Sequence, residues 1–207
     1  MAQKYRSLRS AARDGNLPEV RRLCEAGADI DAQDGRGYFP LGGAVANGHV
    51  DVAEYLLGRG ADINQASQLG WRPVFTAVQR RDAEMLRLLL KYAPELDART
   101  EMLLGRWDSP IPGVSPAGFT ALHQAAAHKR DDLVALLLEA GANPNLRDDD
   151  GRTPLHLACE RSSLETVVVL LRHGANPALA DRRGTLAIDQ AACSPEIREI
   201  LRRQAKS

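Results

Sequence analysis

The stretch Thr153-Pro154-Leu155-His156-Leu157-Ala158 decides how the rest of the chain is interpreted. A hydroxyl residue followed by proline is typical of a helix start, because the hydroxyl caps the first turn and proline needs no N–H partner there. After a short turn, the apolar residues predict a second helix over Leu164–Arg172. Gly174 follows and supplies the left-handed conformation that ends a helix. The sequence therefore predicts a helix–turn–helix unit, followed at residues 176–184 by a turn-rich hairpin.

The same pattern recurs through the chain at a fixed period. Alanine marks it at Ala11, Ala44, Ala77, Ala125, Ala158 and Ala191. Successive alanines lie 33 residues apart, except for one gap of 48 residues, which is 33 plus a 15-residue insertion. Aliphatic residues share this phase at Leu8, Leu41, Val74, Leu122, Leu155 and Ile188, and again at Leu23, Leu56, Leu89, Leu137 and Leu170. Helices of roughly 8–10 residues are too short to be stable alone, so each unit needs its neighbours and a solenoid is predicted.

These features resemble the ankyrin-repeat family. The hexapeptide quoted above matches the family's signature, and the family has the same period. The segment Gly60-Ala61-Asp62-Ile63-Asn64 is also similar to the family's loop. The resemblance implies an all-α ankyrin-repeat solenoid of helix–turn–helix units joined by β-hairpin loops, with about six repeats including caps. We expect a single domain over residues 1–207, with repeats at about 1–33, 34–66, 67–99, 115–147, 148–180 and 181–207 and an insertion at about 100–114.

The two end units depart from the pattern in a way that predicts caps. The first unit has Arg6-Ser7-Leu8-Arg9 where the signature has Thr-Pro-Leu-His, and the last unit ends in a strongly charged helix. Terminal repeats need a polar outer face because no neighbour covers them. We interpret the basic residues of the first unit as a solvated end rather than an RNA site; they are Lys4, Arg6, Arg9 and Arg13.

Composition excludes several classes of function. Lys and Arg total 27, as do Asp and Glu, so the formal net charge is zero, whereas nucleic-acid and anionic-membrane partners favour a basic excess. No apolar run reaches the roughly 18 residues of a membrane span, and the N-terminal residues lack the apolar stretch of a secretory signal. Cys24, Cys159 and Cys193 have no paired spacing, which favours reduced thiols and a cytoplasmic location.

No residue pattern indicates catalysis, a cofactor or a metal site. His123 and His156 occupy the same slot of their repeats, where we expect each ring to bond the backbone of the neighbouring hairpin. The acidic run Asp148-Asp149-Asp150 lacks the alternating ligands of a calcium loop and is interpreted as turn chemistry. Asn64 and Asn145 resemble positions that asparaginyl hydroxylases modify in ankyrin proteins, but we expect their side chains to cap the hairpin. The chain is therefore predicted to be non-enzymatic and to bind no cofactor.

The insertion is too apolar for a solvated linker, and its Pro-Ile-Pro-Gly segment excludes a regular helix. Two interpretations stay open. The insertion covers the surface of the third and fourth repeats, or part of it, above all Trp107, faces a partner.

The residue that follows each hairpin glycine is expected to be exposed at the hairpin tip. Three successive tips carry Tyr38, Trp71 and Phe119, although aromatics make up only 4% of the chain. Exposed aromatics commonly mark contact surfaces, so we predict a row of three that a partner contacts, with packing of the rings on one another or under the insertion as the alternative. The remaining predicted partner-binding residues are Arg36, Leu69, Trp107 and Arg152 around this row, and Gln79, Arg80, His128 and Arg161 at the inner helix ends.

From sequence we therefore expect a cytoplasmic, monomeric module that binds another protein as an adaptor, inhibitor or targeting subunit. The resemblance implies that the partner uses the hairpin tips and the concave helix face, although the fold alone does not identify a function. The alternative is a small molecule or a nucleic acid on the concave face. A membrane partner is not expected.

Overall fold

The structure is a computed structural model that describes residues 7–68, 70–100, 117–190 and 192–204. Within these residues the chain forms eleven α-helices and one short 3₁₀ helix, and the extended pairing is limited to an isolated bridge between Ala180 and Leu186. The predicted all-α architecture of helix pairs joined by hairpin turns is confirmed. The chain divides into two compact units, Met1–Glu95 and Leu96–Ser207, so the single domain over 1–207 stays a prediction.

The first unit contains three helix pairs. They are α1 (Leu8–Arg13) with α2 (Leu17–Glu25), α3 (Pro40–Asn47) with α4 (Val50–Gly58), and α5 (Pro73–Arg80) with α6 (Ala83–Leu90). The first helices of the pairs pack side by side, α1 against α3 and α3 against α5, and the second helices do the same.

The second unit repeats this plan with a shortened end. Its helices are α7 (Ala121–Ala127), α8 (Asp131–Glu139), α9 (Pro154–Glu160), α10 (Leu164–Arg172) and α11 (Pro195–Gln204), with the 3₁₀ helix Ala187–Asp189 before α11. The helix predicted over Leu164–Arg172 has those bounds. In the last repeat only the 3₁₀ turn remains of the first helix, and Pro195, which disfavours a helical conformation in the residue before it, begins the second.

The alanines that recur at the repeat period mark the contact between neighbouring helix pairs. Ala44 and Ala77 are fully buried in the first unit, as are Ala125 and Ala158 in the second. Their small side chains let adjacent first helices approach closely, which is the role the periodicity predicts. Ala191 lies outside the described residues.

The hairpin turns share one hydrogen-bond pattern. The Asp34 N–H donates to the Tyr38 carbonyl over 2.9 Å, and the Gly37 N–H donates back to the Asp34 carbonyl over 2.8 Å. Thr100 makes the same pair of bonds with Phe119 at 2.8 Å and Gly118 at 3.3 Å. Thr100, the first residue of the insertion, is therefore bonded to Gly118 and Phe119 within one hairpin tip. Residues 101–116, which include the rest of the insertion, lie outside the described part.

Side chains of the loop segments connect successive repeats. The Asn64 side-chain oxygen accepts the Glu95 N–H over 2.8 Å, and the Asn145 oxygen accepts the Asn176 N–H over 2.7 Å. Asp97 accepts the Asn143 N–H over 3.0 Å in the same way. The two asparagines singled out from sequence thus bond the backbone of the loop in the next repeat, in agreement with their expected structural role.

Candidate functional site

Two adjoining grooves lie in the unit Met1–Glu95. The first groove, of about 610 Å³, extends along α1, α3 and the turn at 34–38. The second groove, of about 520 Å³, extends along α3, α5 and the turn at 67–71. Both grooves are lined by Tyr38, Gly42 and Ala46, so they meet over α3.

Glycine at two successive positions of α3 creates the floor where the grooves meet. Gly42 stands where His123 and His156 stand in their repeats, and Phe39 replaces the capping threonine. The Phe39 ring turns into the space that the histidine would fill, because a Cβ at Gly42 would lie only 2.9 Å from that ring. Phe39 is buried, and it lines the second groove together with Gly42 and Ala46.

The three tip aromatics differ in exposure, and the residue four positions later explains the difference. Phe119 stacks on the His123 imidazole, with ring centroids 5.4 Å apart, and is 0% exposed. The ring of Trp71 meets Phe75 edge to face at 5.7 Å and is half-buried.

Tyr38 is different because Gly42, four positions later, offers no ring to pack on, and it remains 47% exposed between the two grooves. The expectation that Phe119 is an exposed tip residue is therefore wrong, because Phe119 is fully buried and stacks on His123. The predicted row of three exposed aromatics is reduced to Tyr38 and the half-buried Trp71.

Arg152 is also not the exposed rim residue expected from sequence. Its guanidinium pairs with the Asp148 carboxylate at 2.9 Å and with the Asp150 carboxylate at 2.8 Å. The backbone of the next hairpin covers the turn, since the Arg182 N–H donates to the Asp150 carbonyl over 2.9 Å. Burial raises the pKa of Asp148, while the adjacent Arg152 charge opposes that shift. Arg152 and Asp148 thus form a buried ion pair within one hairpin and do not belong to an exposed contact surface.

The other predicted contact residues are distributed over both units. Arg36 and Arg80 are exposed in the first unit, Arg36 lining the first groove and Arg80, with Gln79, the second. His128 and Arg161 are half-buried at helix ends of the second unit. Leu69 and Trp107 lie outside the described residues.

Charged groups that sequence reasoning assigned to a solvated cap line the first groove. The Arg9 guanidinium lies 3.2 Å from the Asp34 carboxylate, and Arg13 lies 2.9 Å from Asp14. Backbone N–H groups of Tyr38 and then Arg36 donate to Asp34 and hold the pKa of its carboxyl below the usual value. The sequence feature that could have indicated this groove is the glycine pair of α3, because Gly42 and Gly43 line it together with Arg9 and Arg13.

The histidines in the signature slot are structural. The His123 Nδ1 accepts the Thr120 N–H over 3.2 Å, so its Nε2 carries the proton and donates to the Arg152 carbonyl over 3.0 Å. His156 bonds Thr153 and the Thr185 carbonyl in the same arrangement. Burial lowers the pKa of His123 to about 4 and also lowers the pKa of His156. Both rings are therefore neutral and fully occupied with backbone bonds, as expected from sequence.

The described ranges offer little other chemistry. No group of three or more His, Cys, Asp or Glu side chains there is arranged to hold a metal ion. In the same part of the chain, every helix is too short or too polar to cross a membrane. Cys159 and Cys193 are both buried, and burial raises the pKa of the Cys159 thiol.

Comparison with protein-family models finds one kind of repeat over most of the chain. A model described as ankyrin repeats (3 copies) matches residues 65–148 and 122–206. A second model, described as ankyrin repeats (many copies), matches residues 8–57. Together the matches include both grooves and the helix pairs of both units.

Proposed function

Because the chain belongs to the ankyrin-repeat family, whose members are generally protein-interaction modules, we propose that it binds a protein partner through the two grooves of the unit Met1–Glu95. In this proposal it is a non-enzymatic monomer that acts in the cytoplasm as an adaptor, inhibitor or targeting subunit. The observation that carries the proposal is the exposed Tyr38 ring between two grooves that meet over α3.

The composition of the grooves supports a protein partner. Aromatic residues and arginine are enriched where proteins bind each other, and Tyr, Trp and Arg supply most binding hot spots. Tyr38 and Trp71 line the second groove together with Arg80.

The state of the candidate catalytic groups supports a non-enzymatic role. Both signature histidines are buried and bonded on both ring nitrogens, so neither is placed to move a proton to or from a substrate. Burial raises the pKa of Cys159, which lowers the fraction of reactive thiolate.

A capture experiment with aromatic variants tests the proposal. The bait is the full chain, the partner is captured from native lysate and identified, and its affinity is then measured with purified protein. Tyr38→Ala and Trp71→Ala are each expected to weaken binding by about 2 kcal/mol, as hot-spot aromatics do. Tyr38→Ala is the cleaner variant, since Trp71 also packs on Phe75 and its removal lowers stability.

Tyr92→Ala is the matched control. Tyr92 is 37% exposed in the same unit but lines neither groove, so its removal is expected to leave the affinity unchanged. Equal affinities for Tyr38→Ala and the parent chain would contradict the proposed site. Loss of binding in a His128 or Arg161 variant alone would instead place the contact on the second unit.

A further inference from the structure

The lining of the two grooves has an excess of positive charge that the whole chain lacks. Lys and Arg balance Asp and Glu at 27 each over the chain. The charged residues along the grooves are instead four arginines and one aspartate: Arg9, Arg13, Arg36, Arg80 and Asp34.

Two of these arginines can interact with a negative charge on a ligand. Arg36 is exposed at its hairpin tip; its charge acts on the nearby Asp34 carboxylate, whose ion pair in the described part of the chain is with Arg9. Arg80 donates to the Ala46 carbonyl over 2.6 Å, a neutral acceptor that leaves its charge in place. Arg9 and Arg13, by contrast, already lie against Asp34 and Asp14. A guanidinium has five N–H donors and does not deprotonate, so each remains a donor for an anion.

An apolar surface lies between the charges. Where the grooves meet, Gly42 and Ala46 of α3 form the floor, the exposed Tyr38 ring forms one wall and Trp71 lies across the second groove. Arg36 lines only the first groove and Arg80 lines only the second. A segment that fills it needs an apolar side chain at its middle and negative charge toward its ends.

We propose that the grooves bind an acidic peptide segment of the partner, with an apolar side chain against Tyr38 and carboxylates facing Arg36 and Arg80. This inference rests on the proposed function and adds the chemical class of the partner. Carboxylates suit these positions because arginine binds them through paired N–H donors, and the aromatic and glycine surface takes the apolar group.

The same grooves are less suited to a nucleic acid. A nucleic-acid backbone carries closely spaced phosphates and is bound by an excess of Lys and Arg over an extended surface. Here two of the four arginines are already paired with carboxylates, and the Asp34 carboxylate lies in the first groove, where it would repel a phosphate. Sparse carboxylates on a peptide can avoid Asp34 in a way that a continuous phosphate chain cannot.

A selection from a displayed library of random 12-residue peptides tests this inference with the full chain as bait. Selected peptides are expected to be enriched in Asp and Glu around an aromatic or aliphatic residue. Their affinities are then measured by fluorescence anisotropy on labelled synthetic copies. Arg36→Glu is expected to weaken their binding about tenfold, since it replaces an attraction by a repulsion at an exposed site.

Arg183→Glu is the matched control. The Arg183 N–H donates to Asp181 over 2.9 Å, as the Arg36 N–H donates to Asp34 over 2.9 Å, but Arg183 lies in the second unit and lines neither groove. It is expected to leave peptide affinity unchanged. Circular dichroism of both variants should match the parent, because only exposed side chains are altered.

Each alternative outcome overturns the inference in a distinguishable way. Selected peptides without an acidic bias, or equal effects of Arg36→Glu and Arg183→Glu, refute the acidic class but leave protein binding standing. If no peptide is enriched and a labelled 20-nucleotide single strand binds with strong salt dependence, both the inference and the proposed function fail.

Discussion

Lowering the pH is expected to destabilise the second unit through His123. The ring is fully buried, with Nδ1 accepting the Thr120 N–H and Nε2 donating to the Arg152 carbonyl. A second proton on Nδ1 would face the Thr120 N–H, which is also a donor, and would place a charge in a buried site. Burial is therefore the main cause that lowers the pKa of His123 to about 4; the hydrogen bond to the Arg152 carbonyl acts against this shift, and the positive charges of Arg152 and Arg99 act with it.

The sign and size of the effect follow from the two pKa values of the histidine. An unfolded histidine has a pKa of about 6.5, so between that pH and about 4 the unfolded chain binds a proton that the folded chain does not. The stability is fully present above pH 6.5 and is lost as the pH falls toward 4. At pH 5 the loss from His123 alone amounts to about 2 kcal/mol. His156, whose pKa is also lowered by burial, adds a loss of the same sign.

Urea unfolding followed by far-UV circular dichroism at pH 7, 6 and 5 measures this loss. In the His123→Gln variant stability at pH 7 is lower, because a bonded ring is removed, but the decrease between pH 7 and 5 becomes smaller by about 2 kcal/mol. His173→Gln removes an exposed histidine of the same unit and is expected to keep the decrease of the parent chain.

Asp148 changes the pH dependence of stability in the opposite direction. Burial raises the pKa of its carboxyl, so the folded chain takes up a proton at higher pH than the unfolded chain and gains stability as the pH falls. Comparison of His123→Gln with the parent cancels this contribution. Equal decreases in the two proteins would refute the role of His123.

Three other expectations concern the repeats and the insertion. Ala125→Leu overpacks a fully buried contact between neighbouring helices, so the free energy of unfolding in urea should fall by about 1–3 kcal/mol. An unchanged free energy would mean that the repeated alanines do not mark close packing. Gly42→His alone should lower the free energy of unfolding, because the new Cβ meets the Phe39 ring. Combining it with Phe39→Thr restores the threonine–histidine pair found at Thr120 and Thr153, so the double variant should be more stable than the sum of the two single effects predicts. Additive effects in a double-mutant cycle would contradict this coupling. The Thr100 N–H bonds the Phe119 carbonyl as the Asp148 N–H bonds the Arg152 carbonyl, but its bond closes a longer loop. The Thr100 amide should therefore exchange hydrogen about tenfold or more faster than the Asp148 amide. Equal protection of the two amides would contradict this expectation.

The role of the signature histidines could be predicted from sequence, but the exposure of the hairpin tips could not. A histidine three residues after a capping threonine bonds that threonine through local geometry, which recurs wherever the motif does. The tip aromatics share one position in the repeat, yet Phe119 is buried and Tyr38 exposed. The difference in exposure depends on whether the residue four positions later has a ring for the aromatic to pack against. The alignment of the three aromatics at one repeat position does not show this, because it compares single positions and not pairs.

The sequence by itself determined the repeat, the succession of helix pairs and the bounds of the helix Leu164–Arg172, because each unit of a solenoid contacts mainly its neighbours and repeats the same contacts at the same spacing. Only the tertiary structure decided which surface is open. Arg9, Arg36 and Arg80 belong to three different repeats, and they line adjoining grooves because α1, α3 and α5 pack side by side. The depth of those grooves depends on the missing side chain at Gly42 and the inward turn of Phe39, which are matters of packing in three dimensions rather than of period.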